Sequence, residues 1–179
     1  MKAIREIGFG GAANYVFSSL LYGLFKLVPH SPLRVVFLKL VGVKIGENAV
    51  IEDVKFINLY RKGWRGLNVG RNCYLGSECI LDLAESITLE DDVTLSCGSI
   101  ILTHTNVGYS THPLKKFIKS STNSVVVGEG CFVGSGAIIV GVSKVAPKTA
   151  LAAGAVMTKN NHGNELLAGV PAKRLRSFS

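Results

Sequence analysis

The residues of this chain with chemistry to offer are four histidines, four cysteines and two small clusters of basic side chains. An imidazole that is neutral near pH 7 is suited to taking a proton from a hydroxyl group. His30 lies between Pro29 and Pro32, and His162 lies in the polar run Lys159-Asn160-Asn161-His162-Gly163-Asn164, so both read as surface residues. His104 follows Ile100-Ile101-Leu102-Thr103, where an aliphatic pattern stops and a polar stretch begins. A histidine at such a junction has little reason to be core, which makes it the first candidate for a general base. His112, just before Pro113 in the polar stretch, is its competitor.

Cys73, Cys79, Cys97 and Cys131 form no Cys-x-x-Cys pair and stand near no histidine cluster. Zinc and dithiol chemistry are therefore not expected, and reduced thiols that fill a core point to the cytoplasm. The formal charge of +8 favours an anionic surface or a phosphate-bearing ligand. Lys115, Lys116 and Lys119 form one basic cluster, and Lys173, Arg174 and Arg176 form the other. No aromatic platform accompanies either, so nucleic acid is not an expected partner.

The elements that must position these groups follow a period of six. Ile45, Ile51, Ile57, Gly63, Val69, Leu75, Leu81, Ile87, Val93 and Ser99 form one register, and Val127, Val133, Ile139, Val145, Leu151 and Met157 form a second. Neither a helix nor a simple strand repeats at six, whereas the coils of a parallel β-helix do, each burying its inward side chains against its neighbours. Glycines follow the register aliphatics at Gly46, Gly70, Gly76, Gly128 and Gly134, and are expected to supply unusual backbone angles at the turns. All four cysteines lie four residues after a register position, a slot shared with Ala49, Thr103, Ala137, Ser143, Thr149 and Ala155. With three hexads per coil, Cys79 and Cys97 are expected to stack in adjacent coils.

The first forty residues differ in kind. No charge occurs between Ile7 and Phe25, while Lys2, Arg5, Lys26, Arg34 and Lys39 flank or follow that run. Gly8, Gly10, Gly11, Asn14, Ser18 and Ser19 dilute its apolarity, and Tyr15, Ser19, Tyr22 and Lys26 trace a polar stripe at helical spacing. Such a helix suits either the open end of a coil stack or a membrane interface. No small-x-small site follows the run, so a signal peptide is not expected. Ser31-Pro32 reads as an N-cap and first turn, with Leu33, Val36, Phe37 and Leu40 as the apolar face of a second helix. The organisation expected is an N-terminal helical cap over 1–42, a β-helix over 43–170 with an inserted loop at about 105–124, and a tail over 171–179.

The runs Val127-Gly128-Glu129-Gly130-Cys131-Phe132-Val133-Gly134-Ser135, Ala153-Gly154-Ala155-Val156-Met157-Thr158-Lys159 and Gly169-Val170-Pro171-Ala172-Lys173 resemble the hexapeptide-repeat acyltransferases. The chain is most similar to their maltose, galactoside and polysaccharide O-acetyltransferase branch. That resemblance implies a left-handed β-helix that trimerises, with acetyl-CoA as co-substrate, no metal, and a saccharide acceptor in the cleft between subunits. It implies His104 as the base, although the His-x-His common in relatives reads His104-Thr105-Asn106 here and leaves His112 open. By the same carry-over the donor would lie along Ser135, Ala153 and Gly154, with Thr158, Lys159 and Lys173 near its nucleotide. The acceptor implied is an intermediate of surface polysaccharide synthesis, handled at the inner face of the membrane through residues 1–42. A free small sugar, or a non-acyltransferase relative of carbonic-anhydrase type, is the alternative.

Overall fold

A computed structural model describes the backbone of residues 2–142 and 144–178 and the side chains from Gly10 onward. The small-slot residue Ser143 and the side chains of Lys2 and Arg5 lie outside the described residues. The chain winds into a left-handed parallel β-helix whose strands, two to four residues long in the coils, form three sheets. Face 1 stacks Lys44–Ile45, Leu67–Val69, Ile87–Leu89, Val125–Val127 and Lys144–Val145. Face 2 runs from Val50–Ile51 through Tyr74–Leu75, Thr94–Leu95, Phe132–Val133 and Thr149–Leu151 to Glu165–Ala168, and Lys173–Ser177 closes it by antiparallel pairing. Face 3 stacks Lys55–Ile57, Ile80–Asp82, Ile100–Leu102, Ile138–Val140 and Val156–Met157. Between His104–Thr105 and Ser121–Thr122 the inserted loop leaves as a two-stranded antiparallel ribbon.

The coils do not keep one length. On face 1, stacked partners are Ile45 and Val69, then Leu89, Val127 and Val145, so only the last step equals eighteen residues. The inward column therefore runs Leu75, Leu81, Leu89, Leu95 and Ile101, each at most 1% exposed, and the strict period of six is broken by an eight-residue step from Leu81 to Leu89. Ile87, Val93 and Ser99 are buried, but not as continuations of the register. Val93 aligns with Cys73 and Cys131, and Ser99 with Cys79 and Ala137, which is the small-residue slot. Cys97 consequently falls outside that slot and is exposed, so it does not stack on Cys79. In the first coil Phe56 is buried where Ile57 was expected, because the step from Ile51 on face 2 to Phe56 on face 3 is one residue shorter than the step from Leu75 to Leu81 in the next coil.

The glycines have a different task from the one expected. A Cβ on Gly134 would stand 2.6 Å from the Ala153 amide nitrogen, and one on Gly46 equally close to that of Arg71, so these positions serve close approach between coils. Positive φ falls three residues after the inward aliphatic instead, on Gly130, Gly136 and Gly154 and on Asn48, Asn72 and Asp92. The last three also join side chains up the stack, Asn48 Nδ2 donating to Asn72 Oδ1 at 3.2 Å and Asn72 Nδ2 to Asp92 Oδ1 at 3.0 Å.

Helices α1 (Lys2–Lys26) and α2 (Ser31–Leu40) cover the first coil. Phe25 and Leu38 are fully buried, and Phe25, Phe37, Phe56 and Trp64 form one aromatic cluster between helices and coil. The polar stripe of α1 makes contacts with the first coil although Tyr15, Ser19 and Lys26 stay exposed: Lys26 pairs with Asp53 at 2.7 Å, Tyr22 meets Phe56 and Tyr15 meets Tyr60. The outward face is apolar, with Val16, Phe17, Leu20, Leu24 and Leu27 all exposed. Likewise Leu33, Val36 and Leu40 of α2 point outward, and Leu38 with Val35 and Phe37 forms the packing face. Ser31 is not the N-cap, a place taken by His30; its Oγ accepts a hydrogen bond from the Ile51 amide at 2.8 Å and ties α2 to the coil.

Candidate active site

Each time the chain leaves face 3 for face 1 it turns a corner, and three successive coils place Asn58, Asp82 and His104 there. Asp82 is 0% exposed. Its Oδ2 faces His104 Nδ1 at 2.5 Å and accepts the amides of Thr103 and His104 at 3.1 Å each. Its Oδ1 accepts Asn58 Nδ2 at 2.7 Å and the Ala84 amide at 3.1 Å. Burial works against the charge of this carboxylate, yet the hydrogen bonds, led by those from His104 and Asn58, hold its pKa below the ordinary value. An ionised Asp82 only accepts, so Nδ1 of His104 is the donor, and in the neutral imidazole Nε2 is the nitrogen that carries the free lone pair. Thr103 locks the corner, its Oγ1 donating to the Asp82 carbonyl at 2.7 Å and accepting the Glu85 amide at 3.0 Å.

The His104 ring borders a cleft of about 320 Å³ shared with Arg61, Thr105, Asn106, Ser120, Ser121 and Thr122. The groove continues past Asn123 and Gly141 to Thr158, Lys159 and Asn160, higher on the same corner. His112 is elsewhere: its Nδ1 accepts the Leu114 amide at 3.2 Å and caps the short turn Pro113–Lys116. The apolar grooves beneath α1, lined by Tyr15, Tyr22 and Phe56 or by Phe17, Leu40 and Trp64, hold no acid–base pair. Among the described residues no three His, Cys, Asp or Glu side chains converge on a metal position.

The expected donor residues divide between two corners. Thr158 and Lys159 share the His104 corner. Ser135, Ala153 and Gly154 stack on the corner between faces 2 and 3, where the Gly154 amide donates to the Ser135 carbonyl at 2.9 Å. Ser135 and Ala153 are exposed, and Ala153 makes no hydrogen bond through its backbone groups among the described residues. Lys173 is on that second corner as well, opposite Ala168 and next to Ala172, whose amide donates to the Val156 carbonyl at 2.7 Å.

Asp82, the residue that orients His104, was not among the candidates read from the sequence. Its signal was a lone carboxylate inside Ile80-Leu81-Asp82-Leu83-Ala84, where a charge is costly unless it is paired.

The stacked coils and their repeat have counterparts among known proteins. A model of the hexapeptide repeat of succinyl-transferases matches residues 66–103 and 124–143. The chain is 26% identical over 141 residues to the galactoside O-acetyltransferase of Escherichia coli (strain K12), a match covering 75% of the chain and 64% of that relative's length. Its fold superposes on a hexapeptide-repeat acetyltransferase of Vibrio cholerae with a TM-score of 0.80 at 15% identity, over 96% of this chain and 94% of the other. A galactoside acetyltransferase in complex with coenzyme A gives 0.78 at 22% identity, covering 97% of this chain and 84% of the other.

Proposed function

We propose that this protein is an acetyl-CoA-dependent O-acetyltransferase that acts on a saccharide hydroxyl. The observation that carries the reading is the buried Asp82–His104 pair at the mouth of a polar cleft. When bound, acetyl-CoA supplies a thioester whose acyl carbon is open to a hydroxyl. His104 Nε2 accepts the hydroxyl proton as the sugar oxygen bonds to that carbon, and the resulting imidazolium is stabilised by Asp82 across Nδ1–H. As the carbon–sulfur bond breaks, the imidazolium returns the proton to the departing thiolate, so His104 ends the cycle neutral. The corner of Ser135, Ala153 and Gly154 suits the pantetheine arm, because its side chains are small and the Ala153 amide and carbonyl have no partner within the described chain. Lys159 and Lys173 suit the nucleotide phosphates as charge-assisted donors.

The donor corner and the His104 corner are separated by the width of face 3. A homotrimer answers that separation, with the donor corner of one subunit lying beside the His104 corner of its neighbour. The apolar outward faces of α1 and α2, with Lys39 among them, support work at a membrane surface on lipid-linked saccharide intermediates; no helix among the described residues is long and apolar enough to cross a membrane. The test is acetyl-CoA consumption against free sugars, nucleotide sugars and lipid-linked oligosaccharides. Turnover with one class, abolished in His104→Ala at unchanged oligomeric mass, is the expected result. Failure to bind CoA in calorimetry would refute the reading.

A further inference from the structure

The first coil is longer than the regular eighteen-residue coil because an insert, residues 58–66, stands between face 3 and face 1. It begins at Asn58, which holds a left-handed backbone (φ 58°) and donates to Asp82. One turn of helix follows, α3 (Leu59–Lys62), and it is tied on three sides. The Arg61 amide donates to the Asn58 carbonyl at 3.0 Å, the Lys62 amide to the Leu83 carbonyl at 3.2 Å, and Asn14 Nδ2 of α1 to the Tyr60 carbonyl at 2.6 Å. Leu59 is buried beneath it. This frame delivers the Arg61 side chain to the cleft that holds His104.

The charges around Arg61 are distributed unevenly. Lys26, Arg34, Lys55, Lys62 and Arg71 each face a carboxylate, respectively Asp53, Glu52, Glu78, Glu85 and Asp91. Lys62, next to Arg61 in the chain, pairs with the half-buried Glu85 of the next coil at 2.6 Å. Arg61 has no carboxylate partner among the described residues, and every other side chain lining its cleft is a hydroxyl, an amide or the imidazole. Asp82, the acid behind the cleft, is wholly buried and engaged by Asn58 and His104. A guanidinium left free in a carboxylate-free cleft is a fork for two oxygens of an anion.

We infer that Arg61 selects an acceptor carrying a negative charge close to the hydroxyl that reacts, either a phosphosugar or a uronic acid. The inference rests on the acetyl-transfer reading and names the substrate class of that site. It also gives α1 a role in recognition, since Asn14 and Tyr15 hold the α3 turn that places the guanidinium.

The test uses the full chain and matched acceptors: hexoses, hexose 1-phosphates and hexuronates of gluco, galacto and manno configuration, with CoA affinity measured by calorimetry alongside. One anionic class is expected to exceed its neutral parent in kcat/KM by about 10- to 100-fold, the range of a charge-assisted pair. Arg61→Ala brings that ratio close to one through KM, and Arg61→Lys, with one point charge in place of the fork, recovers part of it. Preference for the phosphates or for the uronates identifies the source of the charge. Equal use of neutral and anionic members, a preference that survives in Arg61→Ala, or no turnover of any member by a protein that binds CoA overturns the inference. A loss of CoA affinity in Arg61→Ala by the same factor assigns the residue to the donor and overturns it too. Absence of CoA binding by the unaltered protein removes the acetyl-transfer reading and this inference with it.

Discussion

Two corners of the β-helix carry the candidate chemistry, and they are built on opposite principles. The corner between faces 2 and 3 is regular: Ser135 and Ala153 stack one coil apart, Gly136 and Gly154 take positive φ, and what the corner offers a ligand is backbone and small side chains. The corner between faces 3 and 1 is interrupted by the 58–66 insert and again by the ribbon from His104, and it offers side chains, with Asn58, Asp82 and His104 joined by hydrogen bonds across three coils. A repeating coil alone provides a smooth binding edge. Placing an imidazole against a buried carboxylate took departures from the repeat.

The sharpest way to break this comparison is to remove the side chain the irregular corner exists to hold. His104→Ala is expected to lower acetyl transfer by about 10³-fold, within the range for a lost general base, while circular dichroism and oligomeric mass stay as they were. Turnover within tenfold of the unaltered protein would show that the base lies elsewhere, with His112 next in line.

Asp82→Asn comes second. The amide must turn a donor toward at least one of the donors that Asp82 now accepts, so a turnover loss of about 10²-fold and a stability loss of about 1–3 kcal/mol are expected. Urea titrations across pH separate charge from packing. Because the folded-state pKa of Asp82 is depressed, its stabilisation is complete above the unfolded value of about 4 and is lost as pH falls through the lower folded value. The gap between the two proteins should therefore shrink as pH drops below about 4; a constant gap would mean that the carboxylate charge contributes nothing.

The regular corner is tested by Ala153→Phe, which puts a ring where the donor arm is expected. The site is exposed, so stability should change by less than about 0.5 kcal/mol while CoA affinity falls by about tenfold or more. Mixing the two variants tests whether the corners meet across subunits. Co-expressed His104→Ala and Ala153→Phe chains should regain part of the activity that each lacks alone, since some interfaces of a mixed trimer then combine an intact His104 corner with an intact donor corner. No recovery would mean that each chain forms its site within itself.

This difference also decided what was legible beforehand. Parallel coils, a helical N-terminal segment and a loop after His104 follow from hydrophobic periodicity, which any stack of coils must show. The change of phase after Leu81 is hidden in the sequence because Ile87, Val93 and Ser99 are as buried as true register residues, and composition does not separate two inward columns. The link between Asn58, Asp82 and His104 was invisible for a related reason: their separations of 24 and 22 residues are not the eighteen of a regular coil, being set by the insert and by the long step to Leu89. On the helices, apolar residues at i, i+3 and i+4 mark a face without saying which way it points. The outward positions of Leu33, Val36 and Leu40 reversed that expectation.

The smallest effect comes from a thiol that the corrected phase moves onto the donor corner. Leu95 pairs with Val133, which brings Cys97 to the coil beneath Ser135, and the Gly136 amide donates to the Cys97 carbonyl at 3.1 Å. Cys97 is exposed, whereas Cys73, Cys79 and Cys131 are buried, and burial pushes their thiol pKa values up. The folded protein should therefore give up one thiol per chain to a charged disulfide reagent at neutral pH, and four once unfolded. Cys97→Ser should leave stability within about 0.5 kcal/mol and abolish the fast-reacting thiol. If the donor arm runs along Ser135 and Ala153, saturating CoA should slow that reaction several-fold. An unchanged rate would move the donor off this corner while leaving the Asp82–His104 pair untouched, because the two corners share no side chain.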